Sequence, residues 1–283
     1  MILEECSFSI PGKWVLSGEH SVLRGGAAIA MPHPEFSMHF QFSPCLSGGL
    51  DVDPTEMRNT VFQLIERLRP SFEPEGIQGL LSIQNSIPMG AGLGSSAALC
   101  FGLVHWLAEW GGRQDLSISD RVSLARELEN TFHGKSSGMD VAAVSARKPI
   151  FFKMGELPVE LELAELPRFS FHDTGKRAET RECVDSVQKL LSTNSELGVK
   201  IDQEMTFATE ETKSGLFAFD SGDREIGLAT LSSAMKRSTD CFRKWGLLTD
   251  LIESQIRQLY RDGALAVKPT GAGRGGFLVA LWQ

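Results

Sequence analysis

Pro88-Met89-Gly90-Ala91-Gly92-Leu93-Gly94-Ser95-Ser96-Ala97-Ala98 is a glycine-rich stretch between a strand-like segment, Leu80 to Ile83, and an apolar helix. Three glycines at every second position let the backbone come close to an anion, because glycine adopts positive φ without a side-chain penalty. The helix begins at Ser95 or Ser96, so its unpaired N–H groups and the positive end of its dipole face the loop. This combination predicts a phosphate-binding loop.

The spacing of this loop narrows the kind of nucleotide site that it can form. It reads GxGxG followed by two serines and contains no Gly-Lys-Ser/Thr, so it is neither a Walker loop nor the usual dinucleotide-binding pattern. A hydroxyl beside a triphosphate can ligate magnesium. The predicted cofactor-binding residues are therefore Gly90, Gly92, Gly94, Ser95 and Ser96. A plain glycine turn between strand and helix is the alternative interpretation.

Composition and charge restrict the classes of function. The chain has 283 residues, 42% hydrophobic and 23% charged, which is enough for a sizeable core. Its net charge of -8 argues against a nucleic-acid surface, although a local basic pocket could still bind an anionic substrate. Five cysteines without a CxxC pair argue against a disulfide framework or a zinc site and favour a cytoplasmic protein.

We expect no signal peptide, because the first residues lack a basic start and an apolar core, and the most apolar run, residues 97–110, is too short to span a bilayer and is interrupted by His105 and Glu109. We therefore expect no membrane segment. Strand-like and helix-like segments alternate without a regular βαβ order, which favours an α+β fold over a doubly wound sheet.

Two further segments, at the two ends of the chain, accompany the central loop. Pro11-Gly-Lys13-Trp-Val-Leu-Ser-Gly18-Glu19-His20-Ser-Val22 lies near the start, and Lys268-Pro-Thr270-Gly271-Ala-Gly273-Arg-Gly275-Gly276 lies near the end. With the loop, they resemble the three ordered motifs of the GHMP kinases, the superfamily of galactokinase, homoserine, mevalonate and phosphomevalonate kinases. The resemblance covers essentially the whole chain.

The resemblance implies a fold and a division of the chain. It implies an α+β GHMP kinase fold, with a ribosomal protein S5 domain 2-like N-terminal, ATP-binding domain over residues 1–160. A ferredoxin-like C-terminal domain would occupy residues 161–283, with the active site in the cleft between the two. The acidic, proline-containing stretch 156–167 is the predicted linker.

Within the superfamily, two segments are most similar to the mevalonate kinases. These are Glu129-Asn-Thr-Phe-His133-Gly134-Lys-Ser-Ser137-Gly138-Met-Asp140, and Asp173-Thr-Gly175 followed by Thr180-Arg-Glu182. The resemblance implies ATP- and Mg²⁺-dependent phosphorylation of the mevalonate hydroxyl to give 5-phosphomevalonate. Another GHMP kinase, acting on phosphomevalonate, a sugar or homoserine, and a catalytically silent ligand sensor on the same fold are the alternatives. A homodimer is compatible with the resemblance.

The resemblance also assigns roles to individual residues. Asp140, expected on a loop, would accept or orient the proton of the substrate hydroxyl, and Lys13 would stabilise the negative charge of the transferring phosphate. Ser96 and Glu129 would hold Mg²⁺ through oxygen ligands. The substrate-binding residues implied are Glu19, His20, Thr180, Gly271 and Ala272. Each residue also has an ordinary interpretation, such as an Asx turn for Asp140 or a surface position for Lys13.

Several positions depart from the family pattern, and others predict where two helices begin and end. Arg274 interrupts the last glycine run and would either contact phosphate or point to solvent. Lys135 and Ser136 stand where mevalonate kinases commonly have Asn and Pro. Apolar spacing predicts a helix over residues 55–68 that ends at Pro70, and a second over 120–132 with Ser119 as its N-cap.

Overall fold

A computed structural model describes residues 4–45, 48–72, 76–133 and 136–283. The chain forms two compact units, and each unit is assembled from three separate segments. The first unit comprises the segments 1–13, 32–88 and 94–147, and the second comprises 14–31, 89–93 and 148–283. The predicted domain boundary near residue 160 stays a prediction.

The elements confirm a mixed α+β protein. The strands are β1 (Cys6–Ser17), β2 (Ala27–Pro44), β3 (Leu50–Asp53), β4 (Gly79–Asn85), β5 (Ile150–Lys153), β6 (Val159–Glu160), β7 (Phe169–Asp173), β8 (Ala266–Thr270) and β9 (Phe277–Leu281). The α-helices are α1 (Arg58–Phe72), α2 (Ser95–Trp110), α3 (Ile118–His133), α4 (Met139–Ala146), α5 (Thr180–Thr193), α6 (Ser195–Asp220), α7 (Arg224–Lys244) and α8 (Asp250–Arg261). Among the described residues, no helix is both long enough and apolar enough to cross a bilayer.

In the first unit, helix α2 forms the centre of the core. Strand β4 pairs with β3 in parallel and with residues 38–44 of β2 in antiparallel orientation. Alternate residues of β2 are buried against α2, and the ring of Phe42 lies 5.2 Å from that of Trp106. Phe40 packs directly over Gly102 of α2. This explains why α2 is apolar around almost its whole circumference: helices α1, α3 and α4 contact it as well.

In the second unit, a three-stranded antiparallel sheet of order β7-β9-β8 packs against long helices. Helix α7 contacts both α6 and β8, and α8 packs on β8 and β9 through Ile252, Ile256 and Leu259. A second cluster is centred on Phe242 and Trp245 at the end of α7. Residues 27–30 of β2 pair with β5, which pairs with the two-residue strand β6.

Two predicted element limits are wrong for local reasons. Helix α1 continues through Pro70 to Phe72, since a proline in the last turn removes only one hydrogen bond near an end that frays anyway. Helix α3 begins before Ser119 because Ser117 is the capping residue. The Ser117 hydroxyl accepts the Asp120 N–H at 3.1 Å, and the Asp120 carboxylate accepts the Ser117 N–H at 3.0 Å.

Candidate active site

Lys13 and Asp140, which are 127 positions apart in the sequence, form an ion pair in the first unit. The Lys13 Nζ lies 2.9 Å from the Asp140 Oδ1. The lysine side chain is 4% exposed and the aspartate side chain 34% exposed, so the ammonium is buried and the carboxylate reaches the surface. The pair therefore presents a carboxylate, backed by a fixed positive charge, to a ligand that approaches from solvent.

Asp140 lies in the first turn of helix α4, and the prediction that it lies on a loop is wrong. Gly138 caps this helix in the left-handed conformation, with a φ of 85°. The N-terminal end of a helix carries partial positive charge and favours a carboxylate. The helix thus fixes the position of Asp140 and adds to the attraction from Lys13.

The Glu129 carboxylate is buried in the same unit, close to both Lys13 and Asp140. Burial raises the pKa of Glu129 to about 7, with a further increase from the negative charge of Asp140. The Ser136 hydroxyl donates a hydrogen bond to Glu129 Oε2, and this bond lowers the pKa of Glu129. The positive charges of Lys13 and Arg126 lower it as well. Two carboxylates that repel each other in this way favour a cation between or beside them.

The glycine-rich loop runs into helix α2 as the sequence predicted. Gly90, Gly92 and Gly94 have φ values of 68°, 78° and 79°, in the region that side chains rarely adopt. A Cβ on Gly94 would lie 2.8 Å from the Lys13 Cγ, so the loop passes directly over the buried lysine. Ser95 and Ser96, both half-buried, begin α2 and bring their hydroxyls and N–H groups to the same end of the helix.

In the second unit, Glu19 is held by a buried lysine. Lys268 is fully buried, and its Nζ donates to the Glu19 Oε1 and to the carbonyls of Val15 and Pro269, at 3.2 Å and 2.5 Å respectively. Sequence reasoning placed Lys268 in a motif but gave it no role. A lysine within an otherwise apolar strand, two residues before Thr270-Gly271, is the signal that could have identified it.

His20 lies beside Glu19 and contacts the third motif. Its Nε2 lies 2.9 Å from the Ala272 carbonyl oxygen, so the neutral ring donates from Nε2. Burial lowers the pKa of His20 to about 4, which keeps the ring neutral at ordinary pH. The ring packs 5.3 Å from that of Trp245, measured between centroids. Glu19, His20 and Ala272, all predicted as substrate-binding, therefore lie together.

The remaining residues of the second unit that the sequence singled out lie in different surroundings. A Cβ on Gly92 would lie 3.3 Å from the Gly271 Cα, so the second and third motifs touch there. Arg274 does not simply point to solvent, because its guanidinium donates a hydrogen bond to Ser186 Oγ at 2.8 Å. Its backbone is in the left-handed region, with a φ of 57°. Thr180 is exposed at the first position of α5.

Comparison with known proteins identifies the family of this chain. The family model of the GHMP kinases N terminal domain matches residues 59–147. The chain belongs to the GHMP kinases. The mevalonate kinase of Aeropyrum pernix is 27% identical to this GHMP kinase, and the match covers 97% of the chain and 88% of the relative. The mevalonate kinase of Archaeoglobus fulgidus is 29% identical, covering 97% and 92% respectively.

A solved structure confirms the fold of this GHMP kinase. The L. major mevalonate kinase in complex with R-mevalonate superimposes with a TM-score of 0.78 at 22% identity. The match covers 99% of this chain and 87% of that protein. Membership of a kinase family implies ATP as the phosphate donor. The glycine loop and the N-terminus of α2 fit the phosphates of such a donor, because both supply backbone N–H groups and positive potential.

Proposed function

We propose that this GHMP kinase transfers the γ-phosphate of ATP to the hydroxyl of mevalonate and releases 5-phosphomevalonate and ADP. The observation that carries the proposal is the ion pair between Lys13 and Asp140, at 2.9 Å, beside Gly94 of the phosphate-binding loop. Phosphoryl transfer needs a positioned substrate hydroxyl and fixed positive charge near the phosphate. Asp140 can position the hydroxyl, and Lys13 can supply the positive charge. The relatives named mevalonate kinase support mevalonate as the substrate.

The chemistry follows from the two charged groups. Asp140 accepts the proton of the substrate hydroxyl while the oxygen of that hydroxyl forms a bond to the γ-phosphorus. The bond between that phosphorus and the bridging oxygen breaks, and the electron pair leaves with ADP. The Lys13 ammonium stabilises the charge on the phosphoryl oxygens during the transfer. Since Lys13 is buried and already pairs with Asp140, little reorganisation is needed for either role.

Glu129 and Ser96 are the proposed protein ligands for Mg²⁺, which would neutralise phosphate charge when bound. Both supply oxygen, the ligand type that Mg²⁺ prefers. Burial raises the pKa of Glu129 to about 7 and the negative charge of Asp140 adds to the increase, so a cation beside the two carboxylates would stabilise their ionised forms. Among the described residues, no group of three or more His, Cys, Asp or Glu side chains could hold a metal. Two protein ligands suit Mg²⁺, because it usually keeps waters and binds substrate phosphates.

The remaining predicted residues divide between the two substrates. We assign Gly90, Gly92, Gly94 and Ser95 to the nucleotide phosphates. We assign five residues to mevalonate: Glu19, His20, Thr180, Gly271 and Ala272. The contacts of Glu19 with Lys268 and of His20 with Ala272 favour this assignment, since they make these side chains rigid before any ligand binds.

The decisive experiment is a coupled assay of ADP release with R-mevalonate, compared with phosphomevalonate, galactose and homoserine as acceptors. We expect turnover with mevalonate, and Asp140→Asn is expected to lower kcat by about 10²- to 10⁴-fold because the general base is lost. Asp250→Asn, at an exposed aspartate in the first turn of α8, is the matched control and should retain wild-type kcat.

The acceptor panel also separates the alternatives. Turnover only with another acceptor would replace mevalonate but keep the kinase mechanism. Binding of an ATP analogue without turnover of any acceptor would instead favour a ligand sensor. The homodimer stays a prediction, which sedimentation velocity of the purified chain can test.

A further inference from the structure

Ser136 is bound through each of its polar groups to one face of helix α3. Its N–H donates to Asn130 Oδ1 at 2.8 Å, and its carbonyl oxygen accepts from Arg126 Nε and Nη2 at 3.3 and 3.2 Å. Its hydroxyl donates to Glu129 Oε2. Positions 126, 129 and 130 are spaced so that they share one helix face. The helix therefore holds Ser136 in one place and one orientation.

The same hydroxyl also contacts the segment that carries Asp140. The Gly138 N–H donates to Ser136 Oγ at 3.0 Å, and Gly138 is the residue that caps α4. A hydroxyl has a single proton, so when it accepts from Gly138 it directs that proton to Glu129. Accepting one hydrogen bond also strengthens the one that the hydroxyl donates.

We propose that Ser136 is a positioning residue, which fixes the rotamer of Glu129 so that its carboxylate is ready to bind the divalent cation. The Ser136 bond occupies Oε2 and leaves Oε1 outside this contact. Partners of this kind orient a metal-binding side chain before the metal arrives, and their loss weakens metal binding although they never touch the ion. The inference rests on the proposed role of Glu129 in cation binding.

A purely structural role for Ser136 is the alternative. A serine hydroxyl that accepts the N–H two residues later forms a common local turn, which would simply stabilise the start of α4. The two roles make different predictions. A structural role affects the thermal stability alone, whereas a positioning role affects the affinity for a divalent cation.

The test measures Mn²⁺ binding by the whole protein in the presence of ADP and without mevalonate, using the electron paramagnetic resonance signal of free Mn²⁺. Ser136→Ala removes the hydroxyl, and Ser136→Cys replaces it with a weak donor of similar shape. We expect both to weaken Mn²⁺ binding about 10-fold. Ser136→Thr keeps the hydroxyl and should stay within about threefold of the wild type.

The controls and outcomes separate this inference from the proposed function. Ser145→Ala, which removes a half-buried hydroxyl that bonds a carbonyl at the other end of α4, should leave Mn²⁺ affinity unchanged. In a Glu129→Gln background, Ser136→Ala should cause no further loss. Wild-type Mn²⁺ affinity in folded Ser136→Ala and Ser136→Cys, equal loss in Ser136→Thr, or no Mn²⁺ binding beyond that of ADP alone would overturn the inference. Failure of mevalonate turnover would overturn only the proposed function, since the titration contains no mevalonate.

Discussion

At the scale of single residues, Lys268 shows how this protein accommodates a fully buried charge. Its ammonium has three protons, and Glu19 and the carbonyls of Val15 and Pro269 accept from it. The ring of Phe242 lies 5.6 Å from the same nitrogen. A buried ion pair whose ammonium donates all three of its protons is tolerated, but removal of either partner leaves an uncompensated charge.

Lys268→Met is therefore expected to reduce the free energy of unfolding by about 3–5 kcal/mol, because the Glu19 carboxylate is left buried without its partner. The double variant Glu19→Gln/Lys268→Met should lose less than the sum of the two single changes. Urea denaturation measures all three. Lys189→Met, at an exposed position, is the control and should be neutral. Additive losses would contradict the pairing.

His33 is a second buried residue with a consequence for stability. Its Nδ1 accepts the N–H groups of Glu35 and Phe36, both at 3.2 Å, and burial lowers the pKa of the ring to about 4. The unfolded chain, with the ordinary pKa of about 6.5, binds a proton more readily than the folded one. Stability from the neutral ring is thus fully present above pH 6.5 and is lost as the pH falls towards 4.

His33→Asn should reduce this acid sensitivity, because the asparagine oxygen can accept the same N–H groups but does not titrate. Between pH 7 and pH 4.5, the wild type should lose about 2–3 kcal/mol more of its free energy of unfolding than the variant. Urea denaturation at both pH values measures the difference. Equal losses in the two proteins would show that His33 does not contribute to acid destabilisation.

At the scale of elements, the sequence predicted those with a periodic pattern and missed those without one. Helix α2 and the glycine loop were recognisable because glycine spacing and an apolar helix occur together. Helix α4 was not, because it has only eight residues and is buried on almost every side, so no polar face marks it as a helix. Strand β1 continues through Pro11-Gly12, where local propensity alone indicates a break, because it is paired with β2.

Gly102 of α2 provides a test of this packing. A Cβ at this position would lie 2.1 Å from the Cζ of the fully buried Phe40. Gly102→Ala should therefore lower the free energy of unfolding by about 3 kcal/mol, although alanine has the higher helix propensity. Gly112→Ala, where the φ is 83° and nothing lies within 4 Å of the added Cβ, should cost only about 1–2 kcal/mol. Thermal or urea denaturation ranks the two, and a neutral Gly102→Ala would contradict the observed packing.

At the scale of the whole molecule, the order of three motifs was the most informative part of the sequence. It indicated the family and the α+β fold, and together with the separate segment from Glu129 to Asp140 it pointed to Lys13, Glu129 and Asp140 as a group. It did not indicate the contacts that hold the predicted site residues, such as Ser136 with Glu129 and Lys268 with Glu19. Those contacts depend on three-dimensional packing between segments that are distant in the chain or lack a periodic pattern. They could therefore not be predicted from one sequence.

The assembly of each compact unit from three segments has a practical consequence for anyone who expresses this protein in pieces. Residues 161–283 alone would lack Trp14, whose ring contacts Phe169 and Phe171, and Val15, whose N–H donates to Thr270 Oγ1. We expect this fragment to be insoluble or to lack cooperative unfolding, and co-expression with residues 1–160 to recover a soluble, non-covalent complex. Circular dichroism of the fragment alone and together with its counterpart distinguishes the cases. A genetic split that respects the fold cannot be made with one cut, because the backbone passes between the units five times, after residues 13, 31, 88, 93 and 147.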